Sequence, residues 1–386
     1  MKIFFIARGW PSDREPQWGS FERDQALALQ KLGHQVVMLS VDMRFRKYHR
    51  KYGITCETHE GIPHYNLFAG SIWGLALRRF SINLYTKVRR FLFVHLLKEV
   101  NKHEGMPDLF YGHYLVNAST ALAAKKKYGI PVVGIEHWSE LGYANIKKNV
   151  KKWAGKTYKD LDCLLTVSSA LRENILKNFD VDSVVVNNMV GHEFCYAPTE
   201  REGKVVRFVT TGNLLPVKGF DNLVNAFSKL HLSPETWTLN IIGGGKERES
   251  LQQQIDSVGL SNNIHLLGRK NREGVIEMLH KSDVYVMSSR SETFGVAAIE
   301  ALACGLPVIA TDCGGARDFV TKENGKICAV DDIQKLSEAI LYMYKNNGDY
   351  DRAQIAVDCQ KRFSSEAIGK QLEGVFEKVI RINEKQ

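Results

Sequence analysis

Short apolar runs rich in β-branched residues alternate along the chain with stretches of helical period, the pattern of a parallel sheet with crossover helices. In the first half the runs are Lys2 to Ala7, Gln35 to Ser40, Asp108 to Gly112, Pro131 to Glu136, Asp162 to Val167 and Ser183 to Asn187. The second half repeats the plan with Val206 to Thr211, Thr238 to Gly243, Ile264 to Gly268, Asp283 to Ser288 and Pro307 to Asp312. Between them Cys195 to Lys204 is polar, holds Pro198 and lacks any period, as expected of a linker. The pattern predicts an α/β chain of two doubly wound domains. The first covers 1–195, a linker 196–204 follows, the second covers 205–364, and a terminal amphipathic helix occupies 365–386. That helix carries Ile368, Leu372, Val375, Phe376, Val379 and Ile380 on one side and is expected to cap either domain, the first among them.

Composition narrows the class. Of 386 residues, 44% are apolar and 25% charged, which is globular usage, and Gly 31 with Pro 9 excludes a collagen-like or proline-rich filament. The seven cysteines stand no closer than Cys304 and Cys313, so neither a disulfide framework nor a paired-cysteine metal or redox motif is spelled out; a reducing cytoplasm fits. Met1 to Ala7 has too short an apolar run for a signal-peptide core and reads as a first strand. No run approaches the ~18 apolar residues of a spanning helix.

In doubly wound sheets ligands bind beyond the carboxyl ends of the strands, and two such domains facing each other offer the cleft between them. Candidate chemistry is therefore sought just after strands. Ser288 to Thr311 reads as strand end, loop, helix, glycine stop and strand. A helix opening near Phe294 would aim free amides at an anion such as a diphosphate. Glu292 lies before it and Glu300 inside it, their backbones up to ~12 Å apart at helical rise. One carboxylate could bind hydroxyls at each end of a folded nucleotide sugar; a capping glutamate and an exposed helical glutamate are the plain alternative. Gly212 to Phe220 brings Lys218 to a strand end, where an ammonium neutralises phosphate, although a lysine beside a glycine turn is commonplace. Gly243 to Gly245 permits close backbone approach or is simply a turn. In the first half Gly19 opens a helix expected to end at Gly33, and His137 follows the run ending at Glu136, as a catalytic group or a structural histidine.

Several look-alikes fail. Gly155-Lys156-Thr157 lacks the first glycine of a phosphate loop, there is no GxGxxG, and Asp180-Val181-Asp182 matches a metal-binding DxD only within a polar loop. No His, Cys and carboxylate cluster has metal-site spacing, so no metal is expected.

Together these elements resemble the retaining nucleotide-sugar glycosyltransferases of family four, whose GT-B fold sets two Rossmann-like domains face to face. The resemblance spans nearly the whole chain and is strongest from Thr211 to Gly325: Glu292 through Glu300 matches the family's E-x7-E motif, and Gly314-Gly315 its next glycine pair. It implies that Glu292 binds hydroxyls of the transferred sugar, Glu300 the ribose diol and Lys218 the diphosphate. Gly212, Asn213 and Gly244 fall in donor-binding loops, and Thr293, Phe294, Gly295 and Val296 would line the phosphate and sugar with backbone amides. Arg269 and Lys270 fall where the base-binding segment lies. Gly19 would reach the diphosphate and His137 the reaction centre, making His137, Glu292 and Lys218 the catalytic set. The implied co-substrate is a UDP- or GDP-linked sugar, with no other cofactor. The family usually has an arginine where Asn213 stands, and its first-loop glycine pair is Gly19-Ser20 here.

Charge adds a second expectation. Formal net charge is +9, and between Val41 and Val100 eleven Lys and Arg face four Asp and Glu. Residues 43–52 interleave bases with aromatics. Residues 77–98 read as a helix striped with Phe80, Leu84, Val88, Phe91 and Leu92 and flanked by Arg78, Arg79, Lys87 and Arg90. Such a surface suits anionic lipid on the cytoplasmic membrane face, and an ordinary core helix with a basic edge accounts for it equally. No nucleic-acid module accompanies the charge. The expected reaction is transfer to a lipid-linked or cell-envelope glycan; a sugar epimerase of the same architecture and an idle nucleotide-sugar-binding module are the rivals.

Overall fold

The structure, a computed structural model, describes residues 1–15, 17–44, 50–70, 81–138, 141, 146–198 and 205–385. The basic stretch 45–49, the start of the proposed lipid-facing helix at 77–80 and linker residues 199–204 lie outside these. The chain divides into one unit of Met1–Asn188 with Ser365–Gln386 and another of Met189–Ser364.

The first unit is an eight-stranded sheet in the order β3-β4-β2-β1-β5-β6-β7-β8. Its strands are β1 (Lys2–Ile6), β2 (Gln35–Asp42), β3 (Gly53–His59), β4 (Ile62–Phe68), β5 (Leu109–His113), β6 (Val132–Glu136), β7 (Cys163–Thr166) and β8 (Val184–Val185). All neighbours pair in parallel except β3 with β4. Helices α1 (Ser20–Lys31), α2 (Ile82–Glu104), α3 (Tyr114–Tyr128), α4 (Lys148–Asp160) and α5 (Ser169–Phe179) provide the crossovers. Central β1 is apolar and buried from Ile3 to Ile6, as a strand covered on both faces must be, and Phe4, Val37, Phe93 and Phe110 anchor the core.

The second unit is a six-stranded all-parallel sheet in the order β11-β10-β9-β12-β13-β14. Its strands are β9 (Val206–Thr211), β10 (Trp237–Ile242), β11 (Ile264–Gly268), β12 (Val284–Met287), β13 (Val308–Thr311) and β14 (Gly325–Cys328). Its helices are α6 (Phe220–Ser228), α7 (Arg248–Ser257), α8 (Arg272–His280), α9 (Val296–Ala303), α10 (Ile333–Asn346) and α11 (Arg352–Phe363). Phe208, Phe227, Trp237 and Ile241 centre its core.

The polarity of 196–204 suggests a boundary at Cys195, but the division falls after Asn188. Val190 donates its amide to Phe363 O at 2.8 Å, Gln360 donates to Phe194 O at 2.9 Å, and Phe194 is buried, so this stretch packs with the second unit. Helix α12 (Ser365–Asn383) returns to the first unit, burying Ile368, Leu372 and Phe376. Gly369 there lets the helix approach α1 closely, since a Cβ would stand 3.1 Å from Leu32, and His34 meets Glu373 at 2.9 Å.

The basic helix begins at Ile82, and the expected stripe splits in two. Tyr85, Arg89, Phe93, Leu96 and Leu97 are buried, and Val88 and Leu92 pack at the edge of that core. Leu84 and Phe91, seven positions apart, point outward, Phe91 at 74% exposure. Arg90 is not a free flanking cation: it donates to Ser119 O at 2.8 Å and to Ser119 Oγ at 3.2 Å. Among the described residues no helix is long and apolar enough to cross a membrane.

Candidate functional site

In the second unit the predicted residues gather at the carboxyl ends of β9 to β12. After β9, the Gly212 amide donates to Ile242 O, and Leu214 donates to Gly244 O at 3.1 Å. Gly243, at φ +155°, runs so close beneath that a Cβ would meet Gly212 O at 1.8 Å. A Cβ on Gly244 would lie 2.9 Å from Arg269 Nε, which puts the glycine turn and the Arg269 segment side by side. Arg269, Lys270 and Asn213 are exposed.

A short 3-10 turn, Pro216–Lys218, lifts Lys218 to within 2.5 Å of Glu292 Oε1, both side chains partly buried. Ser289 Oγ donates to the same oxygen at 2.7 Å. Glu292 is held by backbone, its amide on Cys313 O at 2.8 Å and the residue itself in an isolated parallel bridge with Gly314. A Cβ on Gly314, at φ +135°, would strike Glu292 O at 2.1 Å, so the glycine pair after β13 exists to let the Glu292 loop dock. Thr311 Oγ1 clamps the loop through Ser289 O at 2.5 Å.

The helix opens two residues later than expected: Gly295, at φ +114°, caps it and Val296 is its first residue. Phe294 is buried against Phe319 and Phe363, so its ring anchors the loop; of the first-turn amides that of Ala298 donates to Gly295 O at 2.9 Å, and those of Val296 and Ala297 precede any intrahelical acceptor. Thr293 and Glu300 are half-buried. Buried Tyr285 has its pKa pushed up first by burial and also by the Glu300 and Glu292 carboxylates, and its hydroxyl lies 3.1 Å from Thr211 Oγ1.

Arg290, two residues from Glu292, is committed elsewhere. It binds Asp221 at 2.7 and 2.8 Å and Asp331 at 2.7 Å, and these partners hold its pKa above the ordinary value.

In the first unit Gly19 caps α1 at φ +81°, where a Cβ would overlap Gly9 O at 1.9 Å. Phe21, just inside that helix, stacks on His137 with ring centres 5.5 Å apart. Glu136 fixes the His137 loop: its buried carboxyl accepts from the amides of Leu115, His137 and Trp138 and from Tyr158 Oη at 2.7 Å. Burial raises its pKa to about 7 against these hydrogen bonds.

Sequence reasoning missed several neighbours on this edge. Arg8, just beyond β1, makes a two-point contact with fully buried Glu22 at 2.7 and 3.0 Å and lies over the rings of Trp18 and Tyr114. His113 ends β5, and Tyr114 takes a left-handed φ of 64°. The signal was available, because each follows a predicted strand. The look-alikes dissolve: Gly155 to Thr157 lies inside α4, and Asp182 pairs with Arg172 at 2.8 Å. Among the described residues no group of three or more His, Cys, Asp and Glu could hold a metal ion.

Residues 23–194 match the model of glycosyltransferase family 4, and residues 197–358 that of glycosyl transferases group 1. An uncharacterized glycosyltransferase of Methanocaldococcus jannaschii is 30% identical over 256 residues, 64% of this chain and 68% of its own. A putative teichuronic acid biosynthesis glycosyltransferase of Bacillus subtilis is 27% identical, covering 88% of each chain. Among solved structures, sucrose-phosphate synthase from Thermosynechococcus elongatus superposes with a TM-score of 0.76 at 17% identity over 99% of both chains. Anabaena HepE in complex with UDP-glucose superposes at 0.69 and 17% identity, over 98% of this chain and 100% of that one.

Proposed function

The chain belongs to the group 1 glycosyl transferases and has their two-domain GT-B fold, and from that footing we propose that it moves a sugar from a UDP- or GDP-linked donor to a lipid-linked or cell-envelope glycan, with retention at the anomeric carbon. The observation that carries the reading is the Lys218–Glu292 contact at 2.5 Å just ahead of the start of α9, which no side chain caps. A cation and free amides suit the diphosphate; a carboxylate suits sugar hydroxyls. The envelope acceptor is supported by the name of the Bacillus subtilis relative, and the nucleotide-sugar donor by the ligand of Anabaena HepE.

In the proposed step the acceptor oxygen bonds to the anomeric carbon from the face the diphosphate leaves. The bond from that carbon to the phosphate oxygen breaks with its electron pair, and the acceptor proton passes to the departing phosphate. Charge grows on the leaving oxygens, where Lys218 and the Val296 and Ala297 amides at the start of α9 are placed to meet it. Glu292 holds the sugar hydroxyls, Glu300 the ribose, and Gly212, Gly244 and Arg269 the nucleotide. His137 orients the transferred sugar, and Gly19 offers its amide to the diphosphate. No metal or other cofactor takes part. The enzyme works peripherally on the cytoplasmic membrane face, with Leu84 and Phe91 among Lys87 and Lys98 as the lipid-facing edge.

The test is a panel of nucleotide sugars scored for nucleotide release with and without lipid extract and EDTA, the product anomer being read by NMR. Inversion, a strict Mg²⁺ requirement, or nucleotide-sugar epimerisation without transfer overturns the proposal.

A further inference from the structure

Five buried polar atoms without hydrogen-bond partners collect at one spot in the first unit, at the carboxyl ends of β5 and β6. They are Nδ1 and Nε2 of His113, Nδ1 and Nε2 of His137, and Oδ1 of Asn188. His113 is 0% exposed, His137 7% and Asn188 5%. Asn188 faces His137 closely enough to favour its protonation without reaching hydrogen-bond geometry. The rings form a stack. His113 lies parallel to His137 at 5.5 Å and 7°, Phe21 covers the other face of His137, and Phe5 the other face of His113 at 5.4 Å.

An interior this well filled normally pairs its polar atoms, and orphaned ones mark a place where water or ligand completes the set. The fold gains nothing from imidazole at position 113. Phe5 and Tyr111 on either side would pack a phenyl ring equally well, and burial without a partner penalises the nitrogens. The backbone is held under strain at the same point, Tyr114 keeping φ 64° in contact with Arg8 and His137. Burial keeps both imidazoles neutral by drawing their pKa values well below 6.5. A neutral imidazole offers one donor and one acceptor, so the pair can address hydroxyl groups without bringing charge.

We propose that His113 is a positioning residue of the transfer reaction, completing with His137 and Asn188 a neutral polar shelf that binds the hydroxyls of the transferred sugar, His137 directly and His113 through an ordered water. The inference rests on the glycosyl-transfer reading above and adds a residue and a ligand class to it.

The experiment compares wild type with H113F, H113N and N188L for thermal unfolding and for nucleotide release from UDP-glucose, UDP-galactose, UDP-N-acetylglucosamine and GDP-mannose. With the best donor, H113F is expected to melt no lower than wild type yet lose about tenfold or more in kcat, with donor KM changing less. H113N, which restores a donor and an acceptor, is expected to recover part of the rate despite packing worse. A purely structural role predicts the reverse order, with phenylalanine the better substitute, and H113F retaining the wild-type kcat overturns the proposal. Should H113F fold poorly, N188L decides: a rate loss with an unchanged melting point supports the shelf, and an unchanged rate overturns it. Wild type inert toward every donor overturns the transfer reading and this inference with it; active wild type with insensitive variants overturns this inference alone.

Discussion

Lys218→Ala separates what holds the second unit together from what it does. In the free protein the ammonium meets Glu292 Oε1 at 2.5 Å, with side chains 26% and 16% exposed. A partly hydrated ion pair of this kind contributes about 0–1 kcal/mol to folding. Glu292 does not become stranded, because Ser289 Oγ stays on the same oxygen at 2.7 Å and its backbone remains tied to Cys313. The melting temperature should therefore fall by no more than about 2–4 °C. The reaction loses more. On the proposed reading the ammonium becomes the cation on the leaving diphosphate when a donor binds, and a charge-assisted hydrogen bond is worth about 1.5–3 kcal/mol, or roughly tenfold to a hundredfold in rate. Lys218→Arg, which keeps the charge, should retain more activity than alanine. Steady-state nucleotide release and calorimetry on the same preparations read both quantities. A kcat within about threefold of wild type, or a stability loss that accounts for the fall in activity, refutes the assignment.

Three further outcomes are expected. His64 is buried 2.9 Å from Ser40 Oγ, and burial first, His59 second, draw its pKa from 6.5 down to about 4. The fold prefers the neutral ring, so its stability is complete above pH 6.5 and drains as pH falls toward 4, by about 2 kcal/mol at pH 5. His64→Gln should flatten that part of the urea-unfolding profile, and parallel profiles for the two proteins would contradict the sign. Phe91→Ser with Lys87→Glu should lower flotation on phosphatidylglycerol vesicles severalfold without shifting the melting point, because Phe91 is 74% exposed; equal capture removes the lipid-facing edge. Asn213→Arg should tighten nucleoside diphosphate binding by roughly tenfold or more, an exposed site tolerating the longer side chain, and an unchanged Kd by calorimetry refutes it.

Most of the parallel strands were legible because strands covered on both faces read as unbroken apolar runs. Three strands escaped. β3 is an exposed edge whose polar residues alternate without an apolar run, and it turns into β4 through Glu60 and Gly61, both at positive φ. β14 is four residues with two outward. The gathering of Lys218, Glu292 and their glycine turns was legible for a related reason: each stands a short distance after a strand, and distance along the chain becomes distance in space where a strand, a turn and a helix are fixed. What the spacing could not express is which polar groups already have partners. Arg290 stands beside Glu292 in the chain and looks like a ready substitute for the arginine absent at 213, yet Asp221 and Asp331, sixty-nine and forty-one positions away, neutralise it. His113 is the opposite case, an unremarked histidine whose ring nitrogens no residue of its own unit engages. Charge in a sequence is potential chemistry, and the fold divides it into groups consumed by structure and groups left over. The unpartnered nitrogens of the His113–His137 stack are such a remainder, whereas Lys218 rests on Glu292 and, on the proposed reading, exchanges that partner for the diphosphate.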